Sequence, residues 1–380
     1  MSLKSVACIE DLRRLAHRRV PRDFMGYYES GSYSESTLAA NLADLARINI
    51  RQRVLAGAAN RNQHQTVLGI SQPLPLALAP VGMSGMAYGD GEIAAASAAE
   101  KAGIPYTLST LSICSIEDVA NAVSKPFWFQ LYFMKDRGFV ADLIARARAA
   151  NCSALVLTVD LQVLGQRHRD VRNGLTVPPR VHLSTIAHIL SKPSWVMSVL
   201  MGKRKTFGNV AGRIPGTENL ASYMDWIGSQ FDQALSWDDV AWVREQWPGK
   251  LIIKGIMDVE DARLAAKSGA TAIVVSNHGG RQLDGAVSSI SMLPRIVDAV
   301  GAETEILFDG GIRSGQDVFR ALALGAKACL LGRAYLYGLG AAGEAGVSKA
   351  IDLIAKELDV TMALAGVRTI DQITRERLET

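Results

Sequence analysis

The chain has 380 residues, 48% of them hydrophobic, and a formal net charge of +4. Such a length suits one large barrel or two ordinary domains, and so small a charge excludes the overall field expected of a nucleic-acid binder. Cys8, Cys114, Cys152 and Cys329 contain no Cys-x-x-Cys pair, which argues against a metal knuckle or a secreted disulfide framework, so a reducing, cytoplasmic protein without metal is expected.

Near the N-terminus Glu10, Asp11, Arg13 and Arg14 stand where a signal-peptide core would lie, and no later apolar run reaches the ~18 residues of a spanning helix. Eight short apolar, mostly β-branched runs then follow, at 74–80, 105–110, 127–132, 154–160, 251–256, 272–278, 305–311 and 328–333. Between them lie stretches of helical spacing, such as 91–103 and 314–325, each closed by a glycine that suits a helix C-cap. Strand-helix units in series predict a single α/β domain over 1–380, a parallel (β/α)8 TIM barrel, with a doubly wound open sheet as the alternative. The interval between the fourth and fifth runs is far longer than the others, so a long basic insertion after strand four is expected, at 171–235. Its cations Arg172, Arg180, Lys192, Lys203, Arg204, Lys205 and Arg213 face no acid between Asp170 and Glu218.

In this barrel the reacting groups sit where strands end, and here those ends are polar. Strand three closes with Gln130 and Tyr132, strand four with Thr158 and Asp160, strand six with Ser276 and His278, strand seven with Asp309 and strand eight with Arg333, while strand five holds Lys254. Asp309-Gly310-Gly311-Ile-Arg313-Ser-Gly315 follows a strand and opens a helix, and Gly332-Arg333 ends the next strand. Both suit the phosphate site that this barrel builds after strands seven and eight.

Together with these, SNHGGRQLDG at 276–285, Phe129-Gln-Leu-Tyr132 and Leu157-Thr-Val-Asp160 resemble the FMN-dependent 2-hydroxy-acid dehydrogenase and oxidase family. The likeness runs from Tyr27-Tyr28 to the C-terminal helix and is strongest toward its bacterial, membrane-associated L-lactate dehydrogenase branch. The resemblance implies FMN, with its phosphate on Gly310, Gly311, Arg313, Gly332 and Arg333. It places the ring against Ala79, Pro80, Gly82, Ser109, Gln130, Thr158 and Lys254, with Ser276 and Asp309 in the same set. It also implies that Tyr27 and Arg281 bind the substrate carboxylate, that Tyr132 bonds the hydroxyl, that Arg167 lies in the same mouth, and that the protein is a homo-oligomer.

The chemistry agrees with that assignment. Oxidising a 2-hydroxy acid needs a base, a cation for the carboxylate and a two-electron acceptor. His278 can be the base, Asp160 can hold its imidazole, and Arg281 offers a bidentate fork. Lys254 can stabilise the negative charge of a reduced flavin. Leu111, at the tail of the substrate, favours L-lactate over mandelate, and Gly82 stands where family oxidases commonly carry alanine, which favours a quinone or other respiratory-chain acceptor over oxygen. Alternatives are an oxidase using O2, a dehydrogenase for mandelate or glycolate, another FMN or phosphate barrel such as an isomerase or nucleotide dehydrogenase, and a membrane-surface scaffold. The apolar run Trp195-Val-Met-Ser-Val-Leu-Met201, directly before Lys203-Arg-Lys205, predicts peripheral attachment to an anionic membrane surface, the cytoplasmic face of the inner membrane.

Overall fold

The computed structural model describes residues 2–173, 188–210, 226 and 228–379, and in it all eight runs are parallel strands. In barrel order they are Leu76–Leu78, Thr107–Ser109, Trp128–Tyr132, Ala154–Thr158, Lys250–Ile256, Ala272–Val275, Glu305–Asp309 and Ala328–Leu331. Strands two to eight each pair with the next, and strand eight returns to strand one. Between strands one and two the ladder narrows to a bridge at Leu78 and Tyr106, where the Leu78 N–H donates to the Pro105 carbonyl at 2.8 Å. That bridge closes the ring and sets the open-sheet alternative aside.

Side chains alternate along a strand, so each strand presents one row inward and one to the helices. Ala77, Trp128, Val156, Ile252, Val274, Leu307 and Leu330 form an inner apolar cluster, and Leu131, Leu155, Ile253, Ile273 and Phe308 belong to the outer one. The inner rows continue at the same parity into Ala79, Gln130, Thr158, Lys254, Ser276 and Asp309. The barrel is therefore apolar at its base and polar at its C-terminal mouth, as the run endings predict.

The sequence reading did not include the plug at the base. A hairpin, Gln65–Val67 with Ile70–Gln72, turns at Leu68-Gly69 with φ of 51° and 71°, the pattern of a tight primed turn. Val67 and Leu68 from this hairpin join the inner cluster. Its tip is held by Glu305, which accepts from the Leu68 N–H at 2.8 Å, and by Lys250, which donates to the Leu68 carbonyl.

Three N-terminal helices, Ile9–Arg19, Arg22–Glu29 and Ser36–Arg47, wrap the outside. The last of these packs on Ser289–Val300 and Gly315–Ala323, and the middle one on His168–Arg172 beside the mouth. The helix Arg333–Leu364 breaks at Ala342 and Gly343, which leave helical backbone values.

Of the expected insertion, 174–187, 211–225 and 227 lie outside the described residues, and with them Arg180 and Arg213. The helix Pro193–Met201 corrects part of the membrane expectation. Trp195 is buried: its ring stacks on Phe24 at 5.5 Å and its indole N–H donates to the Met86 carbonyl at 2.8 Å. Three of the cations are also engaged. Arg204 donates to Asp118 at 2.9 Å, Lys192 donates to the carbonyls of His17 and Arg18, and Lys205 donates to the Leu200 carbonyl at 3.1 Å. What remains exposed is Leu190, Met197, Leu200 and Met201, with Lys203 and Lys205 beside them. No helix among the described residues is long and apolar enough to cross a membrane.

Candidate active site

His278 stands just beyond strand six with φ of 57°, a left-handed conformation rare outside glycine. Its Nδ1 lies 2.8 Å from Asp160 Oδ1. A carboxylate accepts from Nδ1–H, so the neutral ring keeps its lone pair at Nε2, free for a proton from substrate. Asp160 reaches this position because residue 255 is glycine. At φ of 107° a Cβ on Gly255 would fall 2.7 Å from both Cβ and Cγ of Asp160. Burial pushes the His278 pKa below its ordinary value, against the opposing pull of Asp160. Burial works to raise the Asp160 pKa, but the charges of His278 and Lys254 outweigh it, so the carboxyl sits below its ordinary value and stays ionised.

The ten-residue motif around His278 is tied down almost atom by atom. Asn277 exchanges hydrogen bonds with Asn41, each amide donating to the other at 2.8 Å, and Asn277 Oδ1 also accepts from the Gly280 N–H at 3.1 Å. The left-handed Gly280 lies so close to helix Ser36–Arg47 that a Cβ would sit 2.6 Å from Leu38 backbone atoms. Gln282 donates to the carbonyls of Asp160 and Val163, linking the loops after strands six and four. Asp284 accepts from Ser34, Ser36 and the Thr37 N–H, which fastens the motif to the start of the same helix.

Three arginines line the mouth. Arg281 spends Nη1 on the carbonyls of Tyr27, at 2.6 Å, and Ser30, at 2.9 Å, so a carboxylate in the mouth could be met by its Nη2 and Nε. Its guanidinium lies 4.8 Å from the centre of the Tyr27 ring and that of Arg167 lies 5.9 Å from it. Burial, and then repulsion by Arg167, lowers the Arg281 pKa to about 10. An anion in this mouth would relieve both effects. Arg167 is steadied by Asp170 at 3.6 Å. Arg333 donates from Nε to Tyr28, from Nη1 to Gly279 and from Nη2 to Ser30, bracing the N-terminal segment against the His278 loop.

Tyr132 belongs to the same cluster. Burial raises its hydroxyl pKa, with Asp160 and Tyr27 adding to the effect, so it remains a donor. Leu111 closes the space on another side: a Cβ added at Gly82 would lie 3.5 Å from Leu111 Cβ and 3.6 Å from the Tyr27 hydroxyl. Tyr27, Gly82 and Leu111 thus converge on one space.

The remaining polar ends suit FMN. Gln130 Nε2 and Thr158 Oγ1 are buried on adjoining strands with no partner among the described residues, and so offer hydrogen bonds to a flat heterocycle. Lys254 Nζ lies 2.9 Å from Ser276 Oγ and 3.1 Å from Asp309 Oδ2. Ser276 and Asp309 therefore both engage Lys254. Burial, and then Arg281 and Arg313, lowers the Arg333 pKa to about 9, a shift that a phosphate bound beside it would oppose. Gly332 is open, since a Cβ there would meet only the Ala79 Cβ, at 3.9 Å. One detail of the phosphate expectation changes. The Arg313 N–H already donates to Asp317 and the Gly315 N–H to Glu357, so the start of helix Gly315–Ala323 is capped by carboxylates. Among the assigned residues, the guanidinium groups of Arg313 and Arg333 remain the main source of positive charge.

Sequence reasoning missed Ser30, Asn41 and Asp170, which position the arginines and the motif. The signal for Asn41 was an amide on the buried face of helix Ser36–Arg47, between Thr37 and Leu45. Ser30 accepts from Arg281 and Arg333 through its carbonyl, which leaves no trace in residue type, and from Arg281 through its hydroxyl as well.

The profile of the FMN-dependent dehydrogenase family matches residues 16–380. An L-lactate dehydrogenase of Caulobacter sp. (strain K31) is 49% identical over 374 residues, covering 98% of each chain. One from Ectopseudomonas mendocina (strain ymp) is 47% identical over 374 residues with the same coverage. Among solved structures, the monotopic membrane protein (S)-mandelate dehydrogenase matches at a TM-score of 0.94 and 35% identity over 99% of both chains. This chain belongs to the FMN-dependent dehydrogenase family.

Proposed function

We propose that this enzyme oxidises L-lactate to pyruvate and hands the electrons to a quinone or another respiratory-chain acceptor. The observation that carries the reading is His278 Nδ1 at 2.8 Å from Asp160, in a mouth that also holds Arg281, Arg167, Tyr27 and Tyr132. Arg281 and Tyr27 hold the carboxylate, and Tyr132 bonds the 2-hydroxyl. His278 takes the proton that oxidation releases, at Nε2, and Asp160 stabilises the imidazolium that results. FMN, held by Gln130, Thr158, Lys254, Arg313 and Arg333, supplies the two-electron acceptor when bound. Leu111 beside Gly82 and Tyr27 narrows the tail pocket and favours a methyl group over a phenyl ring by a factor within ~10 to 200. Anaerobic reduction of the flavin by a panel of (S)-2-hydroxy acids tests the assignment. Lactate is expected to reduce it fastest, and faster reduction by mandelate would replace lactate as the substrate.

The helix Pro193–Met201 supports peripheral attachment to the cytoplasmic face of the inner membrane. Met197, Leu200 and Met201 are 58%, 64% and 75% exposed, and Lys203 and Lys205 flank them. Apolar side chains at the headgroup boundary with cations on anionic lipid make an interfacial site, each cation contributing about 1 kcal/mol. Co-sedimentation with anionic and neutral vesicles tests it: retention on anionic vesicles at low salt is expected, and equal indifference to both would overturn it.

A further inference from the structure

Glu92 lies on the inner face of helix Gly91–Ala102, fully shielded from solvent, and the chemistry above does not use it. Its Oε1 accepts two backbone N–H groups, from Gly85 at 2.8 Å and from Ile113 at 3.1 Å. These donors sit on different loops. Gly85 follows strand one, three residues after Gly82, and Ile113 follows strand two, two residues after Leu111. The loops also meet directly, where the Met83 N–H donates to the Leu111 carbonyl at 2.8 Å. At Gly85 they touch so closely that a Cβ would fall 2.7 Å from Ile113 Cβ and 2.8 Å from Glu92 Oε2.

No cation among the described residues forms an ion pair or side-chain hydrogen bond with this carboxylate. Burying a carboxylate without one is costly, and an apolar side chain of similar size would fill the space at less cost. The two N–H groups are what such a side chain could not satisfy, because buried donors left unpaired cost free energy of their own. A single oxygen is thus shared by the loop carrying Gly82 and the loop carrying Leu111.

We propose that Glu92 is a positioning residue for substrate selection, fixing the separation of Gly82 and Leu111 and so the width of the pocket that takes the tail of the 2-hydroxy acid. The inference rests on the 2-hydroxy-acid reading of the site. Glutamine keeps the accepting oxygen, whereas leucine keeps the volume and removes the acceptor.

The test compares wild type, Glu92→Gln and Glu92→Leu as FMN-loaded enzymes. It measures flavin content, KM and kcat for L-lactate, and the ratio of kcat/KM for (S)-2-hydroxyoctanoate to that for L-lactate. Glu92→Gln is expected to stay within about threefold of wild type throughout. Glu92→Leu should keep FMN, raise the lactate KM about tenfold with kcat within about threefold, and move the ratio about tenfold toward the longer acid. A Glu92→Leu enzyme that melts lower but keeps the wild-type KM and ratio would show a merely structural role and overturn the proposal. So would a Glu92→Gln enzyme shifted as far as Glu92→Leu. If Glu92→Leu does not accumulate as holoenzyme, Glu92→Asp takes its place: its carboxylate is one methylene short of the two donors, the ratio should move the same way, and an unmoved ratio overturns the idea. Wild-type flavin that neither acid reduces would overturn the functional reading, and this proposal with it. Normal wild-type reduction with an invariant ratio overturns this proposal alone.

Discussion

The loop after strand six and the helix Pro193–Met201 both mix polar and apolar residues beyond the barrel strands, yet they end in opposite states. In the loop, the side chains of Asn277, His278, Arg281, Gln282 and Asp284 all have partners inside the fold. On the helix, Trp195 is anchored while Met197, Leu200 and Met201 stay in solvent. The loop's geometry is over-determined, as the proton transfer proposed for His278 would require, because a misplacement of about 1 Å can cost on the order of 10² in rate. The helix is fixed on one face only, which leaves the other for a surface outside the molecule. Substitutions should therefore act on chemistry in the first region and on location in the second.

The sharpest contrast comes from His278→Ala. The variant should retain FMN, since Arg313, Arg333, Gln130 and Thr158 are untouched, while lactate reduces the flavin at least about a hundredfold more slowly, the usual cost of a lost general base. Stopped-flow reduction measures this directly, and a near-normal rate would remove His278 from the mechanism.

Gly255→Ala probes the same dyad from behind. The new Cβ, 2.7 Å from Asp160 at φ of 107°, must displace the carboxylate or the strand. A rate loss of about tenfold and a stability loss of about 1–3 kcal/mol are expected, read from flavin reduction and thermal melts.

The pH profile separates the partners of the dyad. The base works when neutral, and burial sets the His278 pKa below its ordinary value, so the reduction rate should be flat above neutrality and fall only in acid, as the ring gains a proton. Asp160 pulls that pKa upward; Asp160→Asn should therefore move the acid limb to still lower pH while lowering the plateau. An acid limb that moves upward instead would contradict the assigned interaction.

The smallest effect on the enzyme itself is expected from Leu200→Ser with Met201→Ser. Stability should change by less than about 0.5 kcal/mol and turnover with a soluble acceptor should not change. Binding to anionic vesicles should drop measurably, and unchanged binding would move the attachment elsewhere.

Much of the mouth was legible in advance because alternation carries it. Once strand six reads inward at Val274, period two also points Ser276 inward, and the same rule serves Gln130, Thr158, Lys254 and Asp309. Trp195 was misjudged because a tryptophan in a basic, apolar run has the same composition whether it meets lipid or Phe24. The Leu68-Gly69 plug is not legible because four of its six strand residues, Gln65, Thr66, Ser71 and Gln72, are polar and leave no apolar run.

The sequence by itself determined the eight strands, the polar ring at their ends and the His-Gly-Gly-Arg motif, since strand alternation and backbone-permissive glycines are local properties of the chain. Tertiary structure alone decided which groups are already spent. It turned Ser276 and Asp309 toward Lys254, committed part of Arg281 and Arg333 to the carbonyls of Tyr27, Tyr28, Gly279 and Ser30, and joined two loops at Glu92. Those pairings join residues far apart along the chain, and backbone carbonyls and N–H groups look the same at every position. Only folding brings a particular one within 3 Å of a particular side chain.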